Sequence, residues 1–437
     1  MKVDALGGRP RSLASSAWKA LVAWGPRLSH PATGLLLALM IVAGVVLRIQ
    51  HVGYPFHYCF DEDQFIGAAH QFLIGVPDKG ECCHPPLAKL LMGVGMLLLG
   101  NNPMGWRFAP LCFGLQTIVL VFLIASSLFE DRRAGWLAAA FVAADGFYLS
   151  YSRLAFPEGM LTCINLWCMF AAISARGWGG VFACALLVGL AASIKWVGLL
   201  VGLPACFAIL LLRRAPWYTI AAFAIVPFVH LGVWMIGLRL IGHPNDPMSV
   251  WAAIRERMNL HLGFAHHINP AESAWYTWPF LYHPLIVKTS QEGAEVRLAS
   301  GVGNPVLWVA SHLCFVTLIV TGTAAALNAR WRERWRRWFD VRFTKAVAIL
   351  VACWICMMLL WISGRIVTYW YHYLTSWGFT LILLAGLTAR LDRRYAKQVL
   401  IFVLLVLAVF IYFAPVWAEI PISLAAAHRR LIFPLWQ

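Results

Sequence analysis

The chain has 437 residues, of which 61% are hydrophobic and only 12% are charged, and its net charge is +16. Soluble globular proteins contain about one quarter charged residues, so this composition excludes an ordinary soluble domain. The basic residues stand in short clusters between apolar runs, which is typical of the loops on the cytoplasmic side of a membrane protein. The composition therefore predicts an all-α polytopic membrane protein with membrane lipid, and no nucleic acid, as its partner.

Apolar runs of roughly 18 to 25 residues recur along the chain, and each is long enough to cross a hydrocarbon core of about 30 Å. The basic clusters assign the cytoplasmic ends of these runs. The alternation of sides then fits eleven crossings, provided that the short segment 86–101 lies on the outer face as a juxtamembrane helix. The predicted spans are about 32–50, 108–129, 133–150, 157–175, 178–193, 196–212, 216–240, 305–327, 346–363, 369–389 and 398–417.

This topology divides the chain into a cytoplasmic segment 1–31, a transmembrane domain 32–417 and an external segment 418–437. Two external loops, 51–107 and 241–304, are long, and functional residues are often found on such loops. The sequence therefore predicts a multi-pass protein of the bacterial inner membrane with its functional site on the periplasmic side.

Acidic residues mark the first external loop. Asp61, Glu62 and Asp63 follow one another in HYCFDEDQF, and paired carboxylates suit either proton abstraction from a hydroxyl or a divalent cation. They equally suit an acidic cap on the helix that follows. Glu158, directly after Pro157, lies on the same outer side, where it is either a helix-start acid or the partner of the first-loop acids.

Several cations lie on the outer side, against the usual charge bias of membrane proteins. Arginine and lysine are the natural ligands of phosphate, so we expect this group to bind a phosphate-bearing lipid, although snorkelling explains any single member. The five residues are Lys89, Arg107, Arg153, Lys195 and Arg365.

A metal site is not required by the sequence. His84 lies beside Glu81, Cys82 and Cys83, but this spacing matches no standard zinc pattern. We predict no metal ligands, and the carboxylates leave a divalent cation open as an alternative.

Several motifs then occur in a familiar order. FDEDQF, HPPLAK, GWRFAPLCFG, SRLAFPEGMLT and GLAASIKWVGLL are followed by SAWYTWPFLYHP and ISGRIVTYWYHYLTSWGF. From about residue 55 to 385 the chain resembles the protein O-mannosyltransferases and their bacterial relatives, which are phospholipid-carrier-dependent enzymes like those of glycosyltransferase family 39. The resemblance implies a GT-C fold with an outer-face active site, and inverting transfer of a sugar, mannose above all, from a polyprenyl-phosphate carrier to a protein Ser/Thr hydroxyl.

The resemblance also implies roles for individual residues. Asp61 and Glu62 match the acidic pair of the family, with Asp61 as the base or acceptor-orienting group, and Glu158 stands where the family usually has aspartate. The five outer cations match basic motif positions and become candidates for the donor phosphate. His84, Tyr371 and His372 are further pocket candidates.

Three alternatives remain open. The loop 241–304 is too short for the β-trefoil module of the eukaryotic enzymes, so the acceptor is either a protein or, as for the related aminoarabinose transferases, lipid A or another lipid or polysaccharide. A lipid or solute transporter also buries ionisable residues, but it should show inverted repeats, and none is visible. Pairing into a dimer is a further open expectation.

Overall fold

The computed structural model describes residues 28–77, 83–263, 271–362, 368–433 and 436. Within these ranges the chain is mostly α-helical, and a small antiparallel sheet lies in the second long loop. The α-helices are α1 (Pro31–Ile49), α2 (Glu62–Ile74), α3 (Leu87–Leu99), α4 (Pro103–Phe129), α5 (Arg132–Ala143), α6 (Gly146–Tyr151), α7 (Pro157–Ser174), α8 (Gly177–Ile194), α9 (Gly202–Leu211), α10 (Val226–Leu240), α11 (Pro247–Gly263), α12 (Pro305–Leu327), α13 (Ala329–Trp338), α14 (Val341–Ile362), α15 (Leu374–Asp392), α16 (Ala396–Trp417) and α17 (Leu424–His428).

Short 3₁₀ helices adjoin several of these elements, at Trp196–Val201, Trp217–Ile225, Trp275–Phe280 and Trp370–Tyr373. The helix starts follow ordinary capping chemistry. Asn102 and Asn304 each accept two backbone N–H groups of the following helix, and a proline occupies the first helical position in both cases. A side-chain acceptor before a first-turn proline is a strong helix start signal, so the sequence itself sets where α4 and α12 begin.

Among the described residues, eight helices are long and apolar enough to cross a membrane. The segment Trp370–Asp392 is 83% buried inside the protein, whereas the other seven are between 22% and 56% buried. The helix α15 therefore forms the centre of the bundle. It packs against α5, α14 and α12, and the remaining long helices turn much of their surface outward.

The predicted spans agree with most of the long helices. The predicted span 133–150 is divided, because Asp145 ends α5 and caps α6 through the N–H of Tyr148. The predicted span 196–212 is a 3₁₀ turn followed by the ten-residue α9. The segment 86–101 contains the separate helix α3, as expected for a juxtamembrane element. The count of eleven crossings stays a prediction.

The sheet was not predicted from the sequence. Strands β1 (Ile286–Glu292) and β2 (Glu295–Ser300) form a hairpin, and the short β3 (Ile422–Ser423) pairs with β2. Gly293 supplies the positive φ of 62° in the turn, which glycine adopts without steric cost. Because β3 follows α16, the sheet ties the second long loop to the segment after the last long helix.

Candidate active site

Four predicted site residues come together where helices begin or end. Asp61 directly precedes α2, Glu158 is the second residue of α7, Lys195 directly follows α8, and Tyr371 lies in the 3₁₀ turn before α15. Lys195 Nζ donates a hydrogen bond to Glu158 Oε1 and lies 5.5 Å from the centroid of the Tyr371 ring. The charges of Glu158 and Lys195 both act on Asp61, and Phe60, the residue before Asp61, lies against the Tyr371 ring. The ends of four different elements thus form one cluster.

Asp61 does not act as an ordinary helix cap. It occupies the cap position of α2, but its side chain makes no capping hydrogen bond. Burial raises the pKa of its carboxyl group, and the negative charges of Glu158 and Asp63 raise the pKa further. A carboxylate with a raised pKa and no capping bond is able to accept a proton from a hydroxyl group.

The Glu158–Lys195 ion pair is almost fully enclosed, since the two residues are 1% and 5% exposed. Its second carboxylate oxygen, Glu158 Oε2, is buried without a hydrogen-bond partner in the described part of the chain. Leaving a buried charged acceptor unsatisfied costs several kcal/mol. Such an atom beside Asp61 is a reason to expect that a bound molecule supplies the missing donor.

Aromatic rings enclose this cluster. The Tyr371 ring lies 4.9 Å from the ring of Phe156 and 5.8 Å from that of Phe60, measured between centroids. His372 stacks on Trp361 with a centroid separation of 3.9 Å, and its Nδ1 accepts a hydrogen bond of 3.1 Å from the backbone N–H of Tyr369. His372 therefore holds the turn that presents Tyr371.

Glu62 and Arg107 form a different kind of pair. Arg107 Nε and Nη2 donate to the two carboxylate oxygens of Glu62 at 2.8 and 2.7 Å, and the backbone N–H groups of Ala155 and Cys59 complete the set at 2.8 and 3.0 Å. Burial acts to raise the pKa of Glu62, but the bonds from Arg107 outweigh it, and the pKa is lowered. This bidentate pair is fully hydrogen-bonded and fully buried.

The remaining donors of Arg107 bind the first loop. Nη1 donates to the carbonyls of Val52, Tyr54 and Pro55, and Nη2 also donates to that of His57. Every nitrogen of this guanidinium is thus bonded to protein. The arrangement favours a role for Arg107 in holding the loop that carries Asp61, rather than direct contact with a phosphate, which remains the sequence-based prediction.

The two terminal nitrogens of Arg153 are also bonded to protein, whereas its Nε has no hydrogen-bond partner among the described residues. Its Nη1 donates to the carbonyl of Gln50 at 2.6 Å, and its Nη2 donates to Glu419 Oε2 at 3.1 Å. Glu419 also forms an ion pair of 3.0 Å with Lys288 on β1. All three of these ionic groups are buried, and they join the end of α1, the sheet and the segment after α16.

Lys89 lies beside α10 and α11. Its Nζ donates to the carbonyl of His84 at 3.1 Å, and it lines a small cavity together with Arg257 and Trp234. Arg257 itself lies over the Trp234 ring at 5.5 Å from the centroid. Arg365 lies outside the described residues. The described cations therefore fall into groups: Lys195 beside Glu158, Lys89 beside Arg257, and the two loop-holding arginines.

Sequence reasoning missed Lys288, Glu419 and Arg257. Glu419 is 131 residues from Lys288 and lies in a segment that carried no motif, so spacing could not connect the two. The signal available was charge alone, because Glu419 directly follows a long apolar run on the outer side. Within the described residues there is no cluster of three or more residues of the types that ligate a metal.

Comparison with known proteins identifies the family. A model described as "Dolichyl-phosphate-mannose-protein mannosyltransferase" matches residues 83–236, and one described as "C-terminal four TMM region of protein-O-mannosyltransferase" matches residues 248–436. The polyprenol-phosphate-mannose–protein mannosyltransferase of Mycolicibacterium smegmatis is 25% identical over 95% of this chain and 97% of its own length. The enzyme of the same name from Mycobacterium tuberculosis is 24% identical over 86% of each chain.

The fold agrees with these matches. The structure of the Saccharomyces cerevisiae protein O-mannosyltransferase Pmt1-Pmt2 complex bound to the sugar donor superposes with a TM-score of 0.76 at 13% identity, over 96% of this chain and 94% of the other. Apo ArnT from Cupriavidus metallidurans superposes with a TM-score of 0.54 at 17% identity, over 89% and 62% of the two chains. The chain thus belongs to the protein O-mannosyltransferase family of membrane glycosyltransferases and has the GT-C fold.

Proposed function

We propose that this chain is a mannosyltransferase that moves mannose from a polyprenyl-phosphate carrier to a serine or threonine hydroxyl of a protein, with Asp61 as the base. The names of the full-length mycobacterial relatives support the donor, the sugar and the class of acceptor. The observation that carries the mechanism is the pairing of Asp61, which makes no capping bond, with the buried Glu158–Lys195 pair.

The reaction is a single displacement at the anomeric carbon. The acceptor oxygen forms a bond to this carbon while the bond from the carbon to the phosphate oxygen breaks, and polyprenyl phosphate leaves. The hydroxyl proton passes to Asp61, whose raised pKa favours accepting it. No covalent enzyme intermediate is needed for inversion.

Cations near the leaving phosphate would stabilise the charge that develops there. Lys195 lies within the cluster that contains Asp61 and Glu158, and Glu158 holds its ammonium group in place. Lys89 and Arg257, which share a cavity, are a second pair of candidates on the adjacent elements. Arg365 remains a proposed phosphate ligand from the sequence pattern. Arg107 and Arg153 would act indirectly by fixing the loops around the site.

The proposed sidedness follows from the distribution of charge. The helix α13 carries five arginines, and Arg390, Arg393 and Arg394 end the central helix at the same face. This basic end should be cytoplasmic, so the carboxylate cluster at the other end of α15 would face the periplasm of a bacterial inner membrane. Labelling a cysteine placed at the exposed Glu292 with an impermeant reagent in intact spheroplasts tests this assignment.

We also propose that two copies of the chain pair. The yeast structure that superposes with a TM-score of 0.76 is, by its name, a complex of two proteins. Light scattering of the purified protein, corrected for bound detergent, distinguishes one copy from two.

A transfer assay tests the activity. The purified protein in nanodiscs receives radiolabelled polyprenyl-phosphate mannose, with a periplasmic protein extract and a lipid extract as competing acceptors. We expect label in protein, lost in Asp61→Asn. Label in lipid would replace the protein acceptor with a lipid one, and absence of label from both would contradict the proposed donor.

A further inference from the structure

A basic cavity lies at the end of the bundle opposite the candidate active site. The central helix α15 begins at the site and has 19 residues, so its other end is about 28 Å away at 1.5 Å per residue. There, between α13 and the end of α15, the structure has a cavity of about 140 Å³. Four arginines line it, namely Arg337, Arg390, Arg393 and Arg394.

Three of these arginines have acidic partners. Arg390 pairs with Asp340 at 3.0 Å, Arg393 with Asp131 at 3.3 Å, and Arg337 with Glu333 at 2.6 Å. Arg394 has no acidic partner within the described part of the chain, and its guanidinium lies over the Trp338 ring at 5.1 Å from the centroid. Among the residues that the structure describes, no carboxylate therefore pairs with this cation of the cavity.

The surroundings add more positive charge. The helix α13 contains five arginines and one glutamate, which gives this ten-residue element a net charge of +4. Its tryptophans alternate with the arginines, and Trp335 is buried against Phe339 at 4.5 Å. A basic helix with tryptophan on its apolar side is typical of an element that lies in the membrane interface.

The lining is also apolar in part. Leu387, Leu391, Trp338 and Phe339 complete the cavity beside the arginines. A free phosphate ion would use only the arginines, whereas a ligand with a charged head and hydrocarbon below it would use both parts. Guanidinium groups bind phosphate oxygens through a bidentate fork, and basic pockets between helix ends are where anionic lipid headgroups bind.

We propose that this cavity binds the headgroup of one anionic glycerophospholipid from the leaflet on the basic side of the membrane, with Arg394 as its main phosphate contact. The site would be separate from the donor site, because the two lie at opposite ends of α15. A lipid bound there would contact both α13 and the end of α15. Its phosphate group would compensate the charge of Arg394. This proposal does not depend on the identity of the sugar or of its acceptor.

The test is lipid binding by the full-length protein in detergent, measured by native mass spectrometry. Detergent removes the bilayer, and with it the general electrostatic attraction between basic residues and the anionic leaflet. Lipid that the protein retains in detergent must therefore be bound at a site. We expect one phosphatidylglycerol to bind more tightly than phosphatidylcholine. Arg394→Gln should weaken phosphatidylglycerol binding about tenfold, the loss that corresponds to one charge-assisted hydrogen bond.

The matched control is Arg330→Gln. It also removes one positive charge, but from an exposed position on α13 outside the cavity. It should change the affinity less than about twofold, since exposed charges contribute little at a distance. A second variant, Leu391→Trp, leaves the charge intact and fills the cavity, and it should also prevent binding. Unchanged elution volume and circular dichroism establish that each variant is folded.

Three results would overturn the proposal. Equal losses in Arg394→Gln and Arg330→Gln would mean that net charge, and not the cavity, holds the lipid. Equal retention of phosphatidylcholine would mean that the anionic head is not recognised. Displacement of the lipid by millimolar inorganic phosphate would mean that the site binds the phosphate ion alone.

Discussion

Two neighbouring carboxylates in the first loop have opposite surroundings. The Glu62 side chain is fully buried and accepts four hydrogen bonds, two from Arg107 and two from backbone N–H groups. Asp61, one residue earlier, makes no capping bond and lies near a second acid, Glu158. The surroundings lower the pKa of Glu62 and raise that of Asp61.

This difference separates structural from reactive acids. A buried carboxylate whose lone pairs are all used is fixed as an anion and has little capacity to accept a proton. A carboxylate near a like charge has a raised pKa and can exchange a proton during a reaction. The two consecutive acids thus have different roles. The Glu62 side chain is bonded to Arg107, whereas Asp61 lies near Glu158.

The largest effect should come from Asp61→Asn. Removing a general base costs about 10²- to 10⁴-fold in rate, while donor affinity and thermal stability should stay close to those of the unmodified protein because the Asp61 side chain makes no capping hydrogen bond to α2. Turnover of labelled donor and calorimetry measure the two quantities. The control Asp63→Asn changes an exposed acid two residues further on. The charge of Asp63 also raises the pKa of Asp61, so at a pH above the acid limb of the rate profile this variant should retain activity within about twofold. Full activity in Asp61→Asn would remove it from the role of base.

Glu62→Gln should show the reverse pattern. It leaves the Arg107 guanidinium buried with an incomplete set of partners, and breaking a buried ion pair costs about 3–5 kcal/mol. We expect a lower midpoint of thermal unfolding, measured in the same detergent, with loss of activity following loss of folded protein. The comparison between the two acids would fail if Glu62→Gln unfolded at the same temperature as the unmodified protein and lost only turnover.

The sequence predicted the bundle better than it predicted the site. Apolar runs and capping signals such as Asn304-Pro305 are local, so the bounds of α12 and of most long helices follow from them. The predicted span 133–150 is divided at Asp145, which caps Tyr148 three residues further on and also accepts a hydrogen bond from the backbone N–H of Asn304, 159 residues away. Contacts of that kind are not encoded in hydropathy.

The site residues show the same division. The motifs led to Asp61, Glu158 and Lys195, which the fold brings together, although their catalytic roles stay predictions. The same motifs could not show that Arg107 donates its hydrogen bonds to Glu62 and the first loop. An arginine in a motif looks the same in the sequence whether its side chain binds protein or phosphate. Glu419 was missed because its partners, Arg153 and Lys288, are over a hundred residues away.

A smaller effect is expected for Glu158→Gln, and it sharpens the contrast between the two acids. The charge of Glu158 raises the pKa of Asp61, whereas that of Lys195 lowers it. Glutamine at position 158 removes the first effect and leaves the lysine unpaired, so both changes lower the pKa of Asp61. Since the base must be deprotonated, the acid limb of the profile of kcat/KM against pH should move to lower pH. A limb that stays in place would mean that Asp61 does not titrate in this reaction.

A further effect concerns Lys288, whose buried ammonium group forms an ion pair with Glu419. Burial lowers its pKa from 10.5 to about 8, despite the nearby charge of Glu419. Between these two values the unfolded chain binds more protons than the folded one, so stability contributed by this group rises with pH across that window. Lys288→Met should remove this rise, which amounts to about 3–4 kcal/mol at 1.4 kcal/mol per pKa unit. Unfolding midpoints at pH values across the window measure this rise in stability, and the exposed Lys397→Met is the control. Parallel curves of midpoint against pH for Lys288→Met and the unmodified protein would mean that Lys288 is solvated and that the Glu419 ion pair does not hold it in a buried position.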